Sequence, residues 1–234
     1  MDETSYINES IFNNDKEFLE TKDIPKIQKS ICLFKYYNEK NNKIVGTGFF
    51  LKFRYEDKYM HILLTSNHVR KIENYDNFIY YFQENKKKSL PLKNRIKYQS
   101  GKNELDYTCI QILNEDKITN FLNIDDNALN ETYPWEGKQI YIYNYEFKLS
   151  WGKIVKKKNN EANSIYYDCN TESGFSGGPI LDKNNSVIGI HKGAISKDKI
   201  NFGRKIKYII DDIKHNLEKL NEKKREIVSN ITLN

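Results

Sequence analysis

From Ile27 to Gly193 the chain is a succession of short apolar and aromatic runs set apart by polar turns. IQKSICLFKYY, IVGTGFFLKF, YMHILLTSN, NFIYYF and LDYTCIQIL make a first block, and KQIYIYNY, KLSWGKIVKKK, NSIYYDCN, GGPILD and SVIGIHKG make a second. Runs of this length, joined by turns and without a helical period between them, predict an all-β barrel or sandwich. Between the blocks, the stretch from Asn114 to Pro134 has mixed polarity and no clean alternation, so it reads as a linker. At the end, Ile209, Ile210, Ile213, Leu217 and Leu220 fall on one face of a helix. The expected organisation is an extension over 1–26, a first β block over 27–115, a linker over 116–135, a second β block over 136–205, and a C-terminal helix and tail over 206–234. A helical turn around Asp15 to Leu19 is the only element expected in the extension.

Composition narrows the classes. With 234 residues the chain can bury a real core, and its 17 Tyr suit strands better than helices. No window has the apolar length of a membrane span, so no membrane partner is expected. The start, MDETSYINESIFNN, has neither the basic opening nor the apolar segment of a secretory leader. A cytoplasmic protein is the expectation, with secretion requiring a leader ahead of this sequence. Cys32, Cys109 and Cys169 are odd in number and widely spaced, which predicts three small buried thiols rather than disulfides. Nothing has the spacing of a zinc or iron–sulfur site, and no cofactor or metal is expected. The net charge of +6 includes two lysine runs, Lys86 to Lys88 and Lys156 to Lys158, which read as solvated hairpin tips. They lack the interleaved aromatics and arginines of a nucleic-acid surface, so no specific nucleic-acid partner is expected.

The stretch TESGFSGGPIL, Thr171 to Leu181, carries chemistry. Glycines allow a tight turn and close approach to the main chain. Such a turn can project Ser176 and aim the amides of Gly174 and Ser176 at one point, where they would hold a developing oxyanion. The plainer reading is a hairpin turn before the strand GGPILD.

A serine hydroxyl needs a base, and the base needs a third group to fix its tautomer. Of the four histidines, His215 lies in the C-terminal helix and reads as a surface residue. His61 opens the strand HILLTSN, where either face of a sheet accounts for it. His68 follows that strand, next to a small polar cluster, and is placed to face a cleft. Asp106 opens the run DYTCIQIL and can accept from His68.

Histidine and aspartate in the first block, with serine in the second, resemble the chymotrypsin-like serine proteases. GTGFFL, LLTSNHV, LDYTCIQI, GFSGGPIL and SVIGIHKG each resemble a motif of that family, in its order, between Ile27 and Leu220. The resemblance implies two six-stranded antiparallel β-barrels with the active site between them. It implies Ser176 as nucleophile, His68 as general base and acid, Asp106 as orienter, and the amides of Gly174 and Ser176 as oxyanion hole. One departure is Phe175, where the family usually has Asp or Asn. In trypsin-type zymogens that aspartate receives the newly cut N-terminus, an activation route Phe175 does not support.

Within the family the chain is similar to glutamyl endopeptidases, in which a threonine five residues before the serine and the histidine of G-I-H contact the substrate side chain. Thr171 and His191 hold those positions. The resemblance implies protein or peptide substrates cut after Glu or Gln, with Glu favoured, since a histidine that charges near neutral pH attracts a carboxylate. Alternation along the strand points Lys192 to the face opposite His191. Two other readings stand beside this one: a catalytically silent protease-like domain that binds peptides or scaffolds a complex, and nucleic-acid binding through the lysine excess. An enzyme of this kind inside a cell also calls for restraint, by narrow specificity, a closed loop or a regulatory protein partner.

Overall fold

A computed structural model describes residues 24–37, 43–69, 78–83, 86–91, 95, 97–101, 103–158 and 161–232. The turn expected near Asp15 to Leu19 lies outside them. The first described element is a short helix, α1 (Ile24–Ser30), and β1 begins only at Ile31 (Ile31–Tyr37). Sequence reading takes IQKS as the start of a strand, and the structure corrects this. Within α1, Ile27 and Ser30 are both buried at a spacing of three, which places them on one helical face. Pro25 sits in the first turn, where its missing N–H costs nothing.

β2 (Lys43–Tyr55), β3 (Lys58–Ser66), β4 (Phe78–Gln83), β5 (Lys86–Pro91), β6 (Lys97–Gln99) and β7 (Tyr107–Gln111) join β1 in an antiparallel sheet ordered β5-β4-β1-β2-β3-β7-β6. β8 (Gln139–Tyr143), β9 (Leu149–Lys153), β10 (Ser164–Tyr167), β11 (Pro179–Leu181), β12 (Val187–Ile195) and β13 (Ile200–Lys205) form a second, ordered β10-β13-β12-β11-β8-β9. The chain ends in α2 (Ile206–Thr232). Two antiparallel sheets followed by a C-terminal helix are the architecture of a double-barrel all-β protein, as predicted.

Among the described residues the first sheet has seven strands rather than six. Lys86 to Lys88, read as a hairpin tip, instead begin β5, pairing Gln83 with Lys86 and Tyr81 with Lys88. The second sheet contains β13, which apolar patterning does not reveal. β13 is central, between β10 and β12, yet it buries Asn201 and Arg204. Those side chains are tolerated inside because they are hydrogen-bonded, Arg204 to Glu161 at 2.5 Å and Asn163 at 2.8 Å.

One apolar cluster runs from Phe49, Leu51 and Leu64 of the first sheet through Ile142, Ile180 and Ile190 of the second to Ile209, Ile210 and Ile213 of α2. A satellite cluster under β1, β4 and β5 holds Phe34, Phe50, Ile79 and Leu90. The segment between the sheets crosses both, bridging Leu122 to Leu51 and Ile124 to Val187. Tyr107 donates from β7 to Asp212 of α2 at 2.5 Å, tying the helix to the first sheet. All three cysteines are buried and unbridged. His61 stacks on Phe121 at 4.3 Å, and burial lowers its pKa, so packing accounts for it. His215 is exposed on α2. Among the described residues no helix is long and apolar enough to cross a membrane.

Candidate active site

β3 ends at Ser66 and the chain tightens into one 3-10 turn, Asn67–Val69, which lifts His68 off the sheet. Asp106 stands just ahead of β7, the neighbour of β3, in the left-handed region at φ 54°. Aspartate is among the residues that tolerate this conformation. The backbone of the two segments is joined by Asn67 N–H to the Asp106 carbonyl at 3.0 Å. The Asp106 carboxylate then takes two bonds from one residue: the His68 amide to Oδ1 at 3.0 Å and His68 Nδ1 to Oδ2 at 2.7 Å. An ionised carboxylate only accepts, so Nδ1 carries the hydrogen and Nε2 of a neutral ring is left with a lone pair. The Asp106 side chain is fully buried and that of His68 is 20% exposed, so the pair meets solvent through the imidazole.

The serine turn is held from both sheets. Gly174 and Gly177 take φ of 100° and 82°. At Gly177 a Cβ would stand 2.2 Å from the Thr47 carbonyl oxygen and 2.3 Å from Thr65 Oγ1, so only glycine fits. Thr47, from β2, clamps the turn: its amide donates to the Ser176 carbonyl at 2.9 Å and its hydroxyl to the Gly174 carbonyl at 2.6 Å. On the other side Gly177 N–H donates to the His191 carbonyl at 2.9 Å, and Gly178 N–H closes the turn onto the Phe175 carbonyl at 2.8 Å. Phe175 is buried and meets the His191 ring edge-on at 6.4 Å. Apolar packing therefore occupies the place beside the serine where the resembled family usually has Asp or Asn.

Ser176 and the His68–Asp106 pair are connected through β12. The Ser176 hydroxyl donates to the Lys192 carbonyl at 3.3 Å, and Lys192 Nζ lies 3.5 Å from Asp106 Oδ2. Ser66, two residues before His68, donates to the His191 carbonyl at 3.1 Å. Lys192 is thus turned toward the first sheet and buried, away from any surface where it would attract an acidic substrate.

His191 and Thr171 are both buried, in the corner made by β10, β12 and β13. His191 Nδ1 is bonded to the Tyr167 hydroxyl at 2.5 Å. Thr171 donates to Asn201 Oδ1 at 2.7 Å, and Asn201 Nδ2 donates to the Cys169 carbonyl. Asn201 and Tyr167 are partners in the register of β13 and β10, so the two hydrogen-bonded pairs start from neighbouring strand positions. Sequence reading missed Thr47, Tyr167, Lys192 and Asn201 as parts of the site. The only local signal was the polar Asn201 inside a strand flanked by Ile200 and Phe202.

A cavity of about 570 Å³ lies elsewhere, between the β2–β3 hairpin and α2, where Lys52, Arg54, Tyr59, Asp126 and Lys214 line it. None of the six candidate residues borders it. A family model for the trypsin-like peptidase domain matches residues 46–190, from the glycines of β2 past Ser176 to the residue before His191. That span covers more than half of the sequence and holds His68, Asp106 and the serine turn, and the chain belongs to the trypsin-like peptidase family.

Proposed function

We propose that the chain is a serine endopeptidase in which Ser176 is the nucleophile, His68 the general base and acid, and Asp106 the orienting carboxylate. The observation that carries the reading is the two-point hold of Asp106 on His68, which leaves Nε2 as the basic nitrogen. In the proposed reaction Nε2 takes the proton from Ser176 Oγ as the oxygen attacks the scissile carbonyl. The carbonyl π pair moves to oxygen, and the amides of Gly174 and Ser176 donate to that oxyanion. Its collapse breaks the C–N bond, His68 passes its proton to the leaving amine, and an acyl-enzyme remains. Water, deprotonated by His68, then releases the acid and restores Ser176. General base catalysis contributes about 10²- to 10⁴-fold, and one oxyanion donor about 10²- to 10³-fold.

The proposed substrates are proteins or peptides with Glu or Gln before the scissile bond, Glu favoured. The presence of Thr171 and His191 at the two positions that meet the substrate side chain in the glutamyl endopeptidases supports this, with His191 able to donate to a side-chain oxygen. With Tyr167 on Nδ1, recognition falls to His191 Nε2. The packing of Phe175 supports a serine turn ordered without a newly cut N-terminus. Incubation of the folded protein with a peptide library tests the reading. Cleavage after Glu or Gln by wild type and not by Ser176→Ala is expected, and identical, absent cleavage by both would favour a silent peptide-binding domain.

A further inference from the structure

The mechanism above gives Lys192 no part, yet its ammonium touches the carboxylate at the centre of it. Lys192 lies where β12 changes register against β13, between His191 and Gly193. Its side chain is 4% exposed, and its Nζ is 3.5 Å from Asp106 Oδ2, the oxygen that also accepts from His68 Nδ1. The Phe202 ring lies 5.8 Å from the ammonium. Burial lowers the Lys192 pKa, with the neighbouring Arg204 adding to the fall, while Asp106 and Glu161 favour the charged form. Arg204 from β13 and Glu161 from ahead of β10 are themselves paired at 2.5 Å, so they largely cancel. The charged groups around His68 and Lys192 are therefore Asp106 between them and the Arg204–Glu161 pair beyond.

We infer that Lys192 is a positioning residue of the proposed triad, pinning the Asp106 carboxylate in the orientation that holds His68. The inference rests on the protease reading. Asp106 is wholly buried, and a buried carboxylate needs compensating charge and hydrogen bonds. Lys192 supplies the charge, and its contact with Oδ2 limits how far the carboxylate can turn. Both nitrogens meet one oxygen, so a shift of the carboxylate on losing Lys192 is passed directly to the His68 ring. The same residue accepts the Ser176 hydroxyl at its carbonyl, so one strand position touches both ends of the triad.

The test is kcat and KM for wild type, Lys192→Met and Lys192→Arg, each normalised to the fraction that a fluorophosphonate labels. kcat of Lys192→Met is expected to fall by about 10-fold or more while KM holds, and Lys192→Arg to restore most of the loss. If Lys192→Met does not fold, Lys192→Gln removes the charge at similar volume and reads the same split. A labelled, active wild type whose kcat is unchanged in the charge-free variant would overturn the role of Lys192 alone. A wild type that neither labels at Ser176 nor cleaves would overturn the protease reading beneath it.

Discussion

Gly177→Ala probes the serine turn where the structure is least forgiving. Gly177 sits at φ 82°, and its missing Cβ would meet the Thr47 carbonyl oxygen at 2.2 Å and Thr65 Oγ1 at 2.3 Å. A left-handed backbone costs an alanine about 1 kcal/mol. Relieving the overlap costs about 1 to 3 kcal/mol more, because its partners are fixed and one is backbone. Thr65 Oγ1 donates to the same Thr47 carbonyl at 2.6 Å, and the Thr47 amide holds the Ser176 carbonyl at 2.9 Å. Room for the methyl group therefore comes from moving Thr47, and Ser176 with it. The expected loss in stability is about 2 to 4 kcal/mol, a large share of a typical domain's total. A nucleophile displaced by about 1 Å costs about 10²-fold in rate. Denaturant unfolding reads the first, and the second-order rate of fluorophosphonate labelling on folded protein reads the second. A variant within about 0.5 kcal/mol of wild type, labelled at the wild-type rate, would refute the argument that this contact positions the serine.

His191→Ala is expected to lower kcat/KM on Glu or Gln peptides by about 10- to 100-fold, the worth of a buried hydrogen bond from a polar or charged donor. A cleavage profile that kept its preference would show the pocket assignment to be wrong. Glu161→Gln should cost stability near neutral pH by up to about 1 kcal/mol, a small value because the Glu161 side chain is 62% exposed. Arg204 holds the Glu161 carboxyl below its ordinary 4.5, so this contribution is present above that value and is lost as pH falls through the depressed one. Thermal melts of both proteins across that range check it: the gap should close in acid, and a gap independent of pH would contradict the assignment.

The two-sheet architecture was legible because most strands carry their own signal, in alternating β-branched and aromatic residues bounded by turns. The nearness of His68 and Asp106 was legible too, since each lies at the end of a recognisable run and the runs are neighbours, β3 and β7. β13 was not, because its buried positions are Asn201, Gly203 and Arg204, and the two polar side chains among them find their partners in distant segments. α1 was misread because it is only seven residues long and runs straight into β1, so its four residues IQKS fit a strand start as well as a helical turn. Lys192 shows the limit most clearly. Simple alternation puts it opposite His191, but a change of register on β12 and a carboxylate 86 positions away in the chain decide what it touches. Phe175 departs from the family motif as a letter, and only packing against His191 shows how the turn is filled.

The central claim is that Ser176 is a nucleophile activated by the His68–Asp106 pair, and covalent labelling tests it most directly. Wild type, Ser176→Ala and Asp106→Asn would be exposed to a fluorophosphonate while folded, and the adducts located by peptide mass. The account predicts a single adduct on Ser176 in wild type, none in Ser176→Ala, and labelling of Asp106→Asn slowed by about 10²-fold or more, because an amide no longer fixes the tautomer that leaves Nε2 basic. Labelling of wild type and Ser176→Ala alike, or no adduct on a folded wild type, would contradict it.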